Sequence, residues 1–314
     1  MPDLDPALTK LTEGYLSWWD ARQKKREVKD RPKGPLFHYT DGAGLKGIVA
    51  DEKLRLTDIS HLNDHKELNH GFEMALERLW HHGKGGGPVG WFCKVTSDAI
   101  QQRFSDRFGI FVASLSAAKD DLGQWRAYAM NGHGYSIGFS SRLFRISETR
   151  PTNDNEVYWI ARVVYDERIA RRSQHLAVDR AVRIISHAFA SSLVPQRLTS
   201  RFLETMSVNL SVPILWNALT TKHVAYEAER ETRLMMVNRV QLLAPFVETH
   251  VRNGEVVPFV ALPLPMKRRG SLTNLIVGPA SSSDSINGAR QFLRSVGLEA
   301  SVRLERSSIP YRTP

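Results

Sequence analysis

Cysteine is almost absent from this 314-residue chain. Cys93 stands alone, so no internal disulfide can form, which fits a reducing cytoplasm. No stretch approaches the roughly 20 apolar residues that a membrane helix needs. The first hydrophobic stretch is interrupted by Glu13, Gly14 and Asp20, so it does not read as a secretion signal. A membrane partner is therefore not expected. The glycine-rich segment Gly83 to Gly90 carries neither Gly-x-Gly-x-x-Gly nor Gly-x-x-x-x-Gly-Lys-Ser/Thr in a strand-to-helix setting, and it reads as a loop. There is no Gly-x-Ser-x-Gly elbow, and nothing around Cys93 suggests a nucleophile. His61, Asp64 and His65 match no standard metal-ligand spacing. No internal repeat is visible.

Positive charge is what the chain has in excess: 43 Lys and Arg against 33 Asp and Glu, a net +10. Charge of this sign favours a nucleic acid or another polyanion, a dinucleotide included. The denser runs are Arg22 to Lys33, Arg162 to Arg183 and Lys267-Arg268-Arg269, none as long as a disordered basic tail. Hydrophobic residues make up 42%, as in an ordinary globular protein. The length allows one large domain or two small ones.

Helical spacing of Leu8, Leu11, Tyr15, Trp18 and Trp19 makes residues 1–35 an N-terminal helical extension. Strands are predicted at Leu36 to Tyr39, Leu54 to Thr57, Ile110 to Leu115, Tyr135 to Phe139, Val157 to Tyr165, Glu231 to Val237, Val256 to Leu262 and Asn274 to Val277. Helices are predicted over Gly44 to Asp51 with Asp41 as N-cap, His65 to His81, Asp121 to Met130 and Asp284 to Val296, with a turn at Asn63-Asp64. Residues 173–219 are helical, with Val178, Val182, Ile185 and Phe189 on one face. Mixed strands and helices without regular βαβ alternation make the fold class α+β. Residues 36–312 read as a single α+β domain with a helical insertion at about 173–219.

Four segments carry candidate chemistry. His38-Tyr39-Thr40 ends a strand and offers an imidazole and a hydroxyl. Ser114-Leu115-Ser116 puts two hydroxyls on one strand face, and Gln124-Trp125-Arg126-Ala127-Tyr128 sets Gln124 and Tyr128 on one helix face beside an indole on which a flat heterocycle can stack. In the run from Tyr226 to Arg233, a strand would project Glu229, Glu231 and Arg233 from one face, whereas a helix end would pair Glu229 with Arg233. Like charges on one strand face do little for stability. A carboxylate pair beside a cation can hold a sugar hydroxyl and stabilise a positive transition state.

Taken together, these segments resemble a bacterial family known as domain of unknown function 2971. The likeness runs from Phe37-His38-Tyr39-Thr40 and Gly47-Ile48-Val49, through Leu62-Asn63-Asp64 with Glu67, Ser114-Leu115-Ser116, Gln124-Trp125, Tyr128 and Gly134 to Phe139, to Glu229, Glu231 and Arg233. It ends on Ile276-Val277-Gly278-Pro279 and Ser308-Ile309-Pro310-Tyr311-Arg312. The order His-x-Thr, Ser-x-Ser, Glu-x-Glu also resembles the layout of ADP-ribosyltransferases, most closely the branch acting on nucleic acids. That resemblance implies mixed and antiparallel sheets with flanking helices, NAD as substrate, and DNA or RNA as acceptor, as in a toxin or anti-phage effector. With water as acceptor the protein would be an NAD glycohydrolase. It implies that His38 holds the adenosine ribose, with Tyr39 and Thr40 beside it, and that Glu229 or Glu231 is the catalytic carboxylate. The nicotinamide-side position falls to Tyr128, Tyr135 or the Ser114/Ser116 pair, with Gln124 and Trp125 nearby. Arg233 would hold a diphosphate or pin Glu231. A non-catalytic nucleic-acid or nucleotide-binding module is the alternative. The acceptor and the oligomeric state stay open.

Overall fold

The computed structural model describes residues 6–30, 32–61, 65–102, 108–144, 158–252 and 254–311. Pro6–Asp30 forms α1, Leu36–Thr40 β1, Gly42–Ala50 α2, Lys53–Asp58 β2, His65–Gly83 α3, Gly87–Gln102 α4, Phe108–Ser116 β3, Leu122–Tyr128 α5 and Tyr135–Phe139 β4. Trp159–Arg162 is β5, Glu167–Ala190 α6, Thr199–Leu219 α7, Glu231–Arg239 β6, Val240–Leu243 α8, Val247–Arg252 β7, Glu255–Pro263 β8, Leu272–Val277 β9, Asp284–Ser295 α9 and Arg303–Arg306 β10. Helices and a mixed, open sheet together make an α+β protein. Among the described residues no helix is long and apolar enough to cross a membrane.

Local chemistry sets several boundaries. The Asp41 carboxylate accepts from the Gly44 N–H at 2.6 Å and starts α2, as predicted. Asp121 does the same for α5 through Gln124 N at 2.9 Å. The expected loop at Gly83 to Gly90 is shorter than its glycines suggest. Helix α4 already begins at Gly87, because Pro88 fits a first helical turn, where its missing N–H costs nothing. The predicted turn at Asn63-Asp64, with Leu62, lies outside the described residues, as do Val157 and Arg312.

The chain divides into two compact units. Met1–Asp30, Asn63–Phe108 and Val164–Val224 form a helical unit around α1, α3, α4, α6 and α7. Residues 173–219 take in most of α6, all of α7 and the connection between them, with its 3₁₀ turn Gln196–Leu198. Tyr15 and Trp19 of the aromatic stripe are buried there, and the Tyr15 hydroxyl donates to the Ala177 carbonyl at 3.2 Å. Gln174 donates to the carbonyls of Gly71 and Ile214, which ties α6 to α3 and α7. The Asp179 carboxylate takes two bonds from Arg78, at 2.7 and 2.9 Å, and lies 2.8 Å from His82 Nε2.

Arg31–Leu62, Gly109–Val163 and Ala225–Pro314 form the sheet unit. Its strands run β10-β9-β4-β1-β3-β2-β8-β7, with β6 pairing both β3 and β5. The β9–β10 pair is parallel; β1–β4, β4–β9, β2–β8 and β7–β8 are antiparallel. Leu36, Leu54, Leu56, Leu115, Ile137 and Phe139 lead the main core. A smaller core of Phe37, Tyr39, Trp125, Ala129 and Ile276 backs β1.

Two glycines let main chains touch beneath this smaller core. Gly278 N donates to Gly134 O at 2.9 Å, and a Cβ on Gly278 would lie 2.2 Å from Gly132 O. Gly278→Ala must push these two segments apart. We expect a loss of about 1–3 kcal/mol in urea unfolding, the usual cost of overpacking; unchanged stability would contradict this close approach.

Candidate functional site

Strands β1 and β3 are registered through Phe37 opposite Ser116. One residue on, a side chain spans the two strands: His38 Nδ1 lies 3.0 Å from the Ser114 carbonyl oxygen. A carbonyl only accepts, so Nδ1 carries the proton and Nε2 of the neutral ring is left as an acceptor. Burial lowers the His38 pKa below the ordinary 6.5, against the opposing effect of the Ser114 bond, so the ring is neutral at neutral pH.

Ser114 also reaches β6. Its hydroxyl, on an exposed residue, donates to Glu231 Oε1 at 2.5 Å. Arg233 Nε donates to the same oxygen at 2.7 Å, and Nη2 to Oε2 at 3.2 Å. Glu231 and Arg233 are each 3% exposed, so this is a buried, two-pronged ion pair. Spacing by two on one strand brings them to the same face, as expected.

Glu229 departs from the expected strand face. It ends a 3₁₀ turn, Val224–Glu229, and Arg230 reverses the chain with φ 46° before β6 begins. The Ser116 hydroxyl holds the Glu229 carbonyl at 2.6 Å, and Ala117 N holds the Arg230 carbonyl at 3.1 Å. The Glu229 carboxylate is thereby freed from the strand. It is half-buried and accepts from the exposed Tyr128 hydroxyl at 3.4 Å.

The remaining candidates back these groups. The Tyr39 hydroxyl donates to Ala118 O at 2.9 Å and accepts from Asp121 N at 3.1 Å. Its ring meets Trp125 edge-on at 4.9 Å. Trp125 is fully buried and Gln124 nearly so. No face of this indole is left for a heterocycle, so its part is to prop α5. Thr40 is half-buried over Gly44, where a Cβ would lie 2.0 Å from its hydroxyl. Tyr135 is half-buried against the main core. His38, Ser114, Glu231 and Arg233 are thus linked to one another, and Ser116 on β3, Glu229 at the end of its 3₁₀ turn and Tyr128 on α5 form a second set.

Sequence reasoning missed Asp120. Its Oδ1 accepts from Trp125 Nε1 at 2.6 Å and from Ser307 Oγ at 2.7 Å. Its Oδ2 accepts from Ser308 N at 2.9 Å and Ser308 Oγ at 3.1 Å. One carboxylate therefore fastens the C-terminal Ser308-Ile309-Pro310-Tyr311 segment to α5. The paired Asp120-Asp121 ahead of a helix was the available signal, since only Asp121 is needed as the cap.

A family model described as a protein of unknown function (DUF2971) matches residues 124–234. The match takes in Gln124, Trp125, Tyr128, Tyr135, Glu229, Glu231 and Arg233, and supports the resemblance to that unknown-function family. No curated protein and no solved structure matches the chain.

Two outcomes follow from these bonds. Glu231→Gln strands the Arg233 charge in the interior and should cost about 3–5 kcal/mol in urea unfolding. Replacing both residues by apolar ones should cost less than this single change; a near-neutral Glu231→Gln would contradict the buried pair. Asp120 adds an acid dependence. Burial alone would raise its pKa, but the bonds from Ser307, Trp125 and Ser308 outweigh that and hold it below the ordinary 3.8. A depressed folded value stabilises above the unfolded pKa, and that stability is lost as pH falls through the folded one. The thermal midpoint of Asp120→Asn should therefore be lower at neutral pH and fall less than wild type below about pH 4. Parallel midpoint curves would contradict this.

Proposed function

We propose that the protein consumes NAD in an ADP-ribosyltransferase-like reaction, with DNA or RNA as acceptor. The observation that supports this most is the hydrogen-bonded line from His38 on β1, through Ser114 on β3, to Glu231 on β6. It joins the three segments whose order resembles that superfamily. The neutral His38 ring presents Nε2 as an acceptor for a ribose hydroxyl. Ser114 and Tyr128 offer exposed hydroxyls near carboxylates, and the half-buried Glu229 is the more accessible carboxylate. Glu231, neutralised by Arg233, would act through Ser114, and Arg233 pins it in place.

In this reaction the bond between ribose C1′ and nicotinamide breaks through an oxocarbenium-like state. Nicotinamide leaves neutral. An acceptor oxygen or nitrogen bonds to C1′ and gives its proton to a carboxylate, the role this reading gives to Glu229. The surplus of basic residues suits a polyanionic acceptor. With water as acceptor the same chemistry is NAD hydrolysis. One observation favours the non-catalytic reading: the Glu231 charge is already met by Arg233, as in a purely structural ion pair.

NAD labelled in its adenosine half, incubated with the protein alone and with DNA or RNA, separates these readings. We expect nicotinamide release, with label on nucleic acid or as free ADP-ribose. Glu229→Gln should lower turnover about a hundredfold or more at an unchanged thermal midpoint. His38→Ala should weaken NAD binding more than it lowers that midpoint. NAD bound without nicotinamide release would leave a binding module; no NAD binding would defeat both readings.

A further inference from the structure

Strand β7 ends the sheet order, and among the described residues it pairs with β8 alone. Its six residues span about 20 Å. β7 contains no proline, and its register with β8 runs unbroken from Val247 opposite Val260 to Arg252 opposite Glu255. Thr249 lies opposite Pro258, which has no N–H, so this pair does not exchange ladder bonds. The alternation of an antiparallel ladder then turns the N–H and C=O groups of Val247, Thr249 and Val251 toward the open edge. The side chains of Val251 and its neighbour Val256 are 71% and 62% exposed.

We infer that β7 pairs antiparallel with β7 of a second copy of this chain, about a twofold axis through His250. The strand's own charges select this register. It sets Glu248 opposite Arg252 of the other copy, twice, and Thr249 opposite Val251, so outward-facing main-chain groups meet each other. Arg252 is steadied on its own chain by donating to the His61 carbonyl at 2.5 Å. A shift of one residue would set outward-facing groups against inward-facing ones. An axis at Thr249 or Val251 loses both Glu248–Arg252 pairs, and the latter also sets His250 against Arg252. At the axis His250 faces its own copy. Burial first, then the charges of Arg55 and Arg252, lowers its pKa, so two neutral rings meet. Cross-strand pairs of opposite charge stabilise such an edge, and like charges oppose it.

Light scattering over about a hundredfold range of protein concentration tests the pairing. We expect the full chain to shift from monomer to dimer as concentration rises. Glu248→Arg faces Arg252 with a like charge and should hold the protein monomeric, and adding Arg252→Glu should restore the dimer. Thr249→Pro removes an outward N–H without touching the β7–β8 ladder, and it too should give monomer. Circular dichroism checks that each variant is folded. A wild-type monomer at every concentration would overturn the inference, as would a dimer that survives Glu248→Arg and Thr249→Pro.

Discussion

Glu231 and Arg233 are charges with almost no water around them, and the sheet unit depends on their meeting each other. Taking two ions out of water costs several kcal/mol each, so the pair persists only because both guanidinium prongs and the Ser114 hydroxyl are spent on one carboxylate. Those bonds bridge β3 and β6 through side chains. An apolar pair would pack there as well. A buried pair that also reaches an exposed hydroxyl is a different object, because Ser114 carries the effect of the carboxylate to the surface.

Around this pair, neighbouring side chains hold main chain and leave a few polar ends accessible. Ser116 secures the Glu229 carbonyl, and Arg230, at positive φ, pays for the reversal that takes the Glu229 side chain off the strand. Tyr39 binds the main chain at Ala118 and Asp121, and Trp125 leans on it. Asp120 then binds Trp125 and the C-terminal serines together. Segments that lie far apart in sequence thus converge on β1 and β3. Among the described residues there, Ser114 and Tyr128 are exposed and His38 and Glu229 half-buried.

Period and capping made much of the fold legible. β4 runs over Tyr135–Phe139 as expected, and Asp41 caps the helix it precedes; Asp121, expected as the first helical residue, is instead the cap of α5. β7 was hidden because five of its six residues are exposed, which erases the two-residue apolar period. α4 was hidden behind glycines that suggest a loop. At the site, the i, i+2 relation of Glu231 and Arg233 follows from strand geometry alone. The departure of Glu229 does not, since it rests on a left-handed residue and on a bond from Ser116, both set by tertiary contacts. Nor does residue type say that Trp125 is wholly buried. In the fold it packs with Phe37, Tyr39 and Ile276, and Asp120 takes the indole N–H.

The account turns on a neutral His38 that gives its Nδ1 proton to Ser114 and keeps Nε2 for a ribose hydroxyl. Nitrogen NMR of imidazole-labelled protein, titrated with NAD, reads both atoms directly. The account predicts a neutral ring protonated on Nδ1 at neutral pH, with the Nε2 resonance moving as NAD is added. A ring protonated on Nε2, or an Nε2 resonance that stays still while NAD binds, would contradict it.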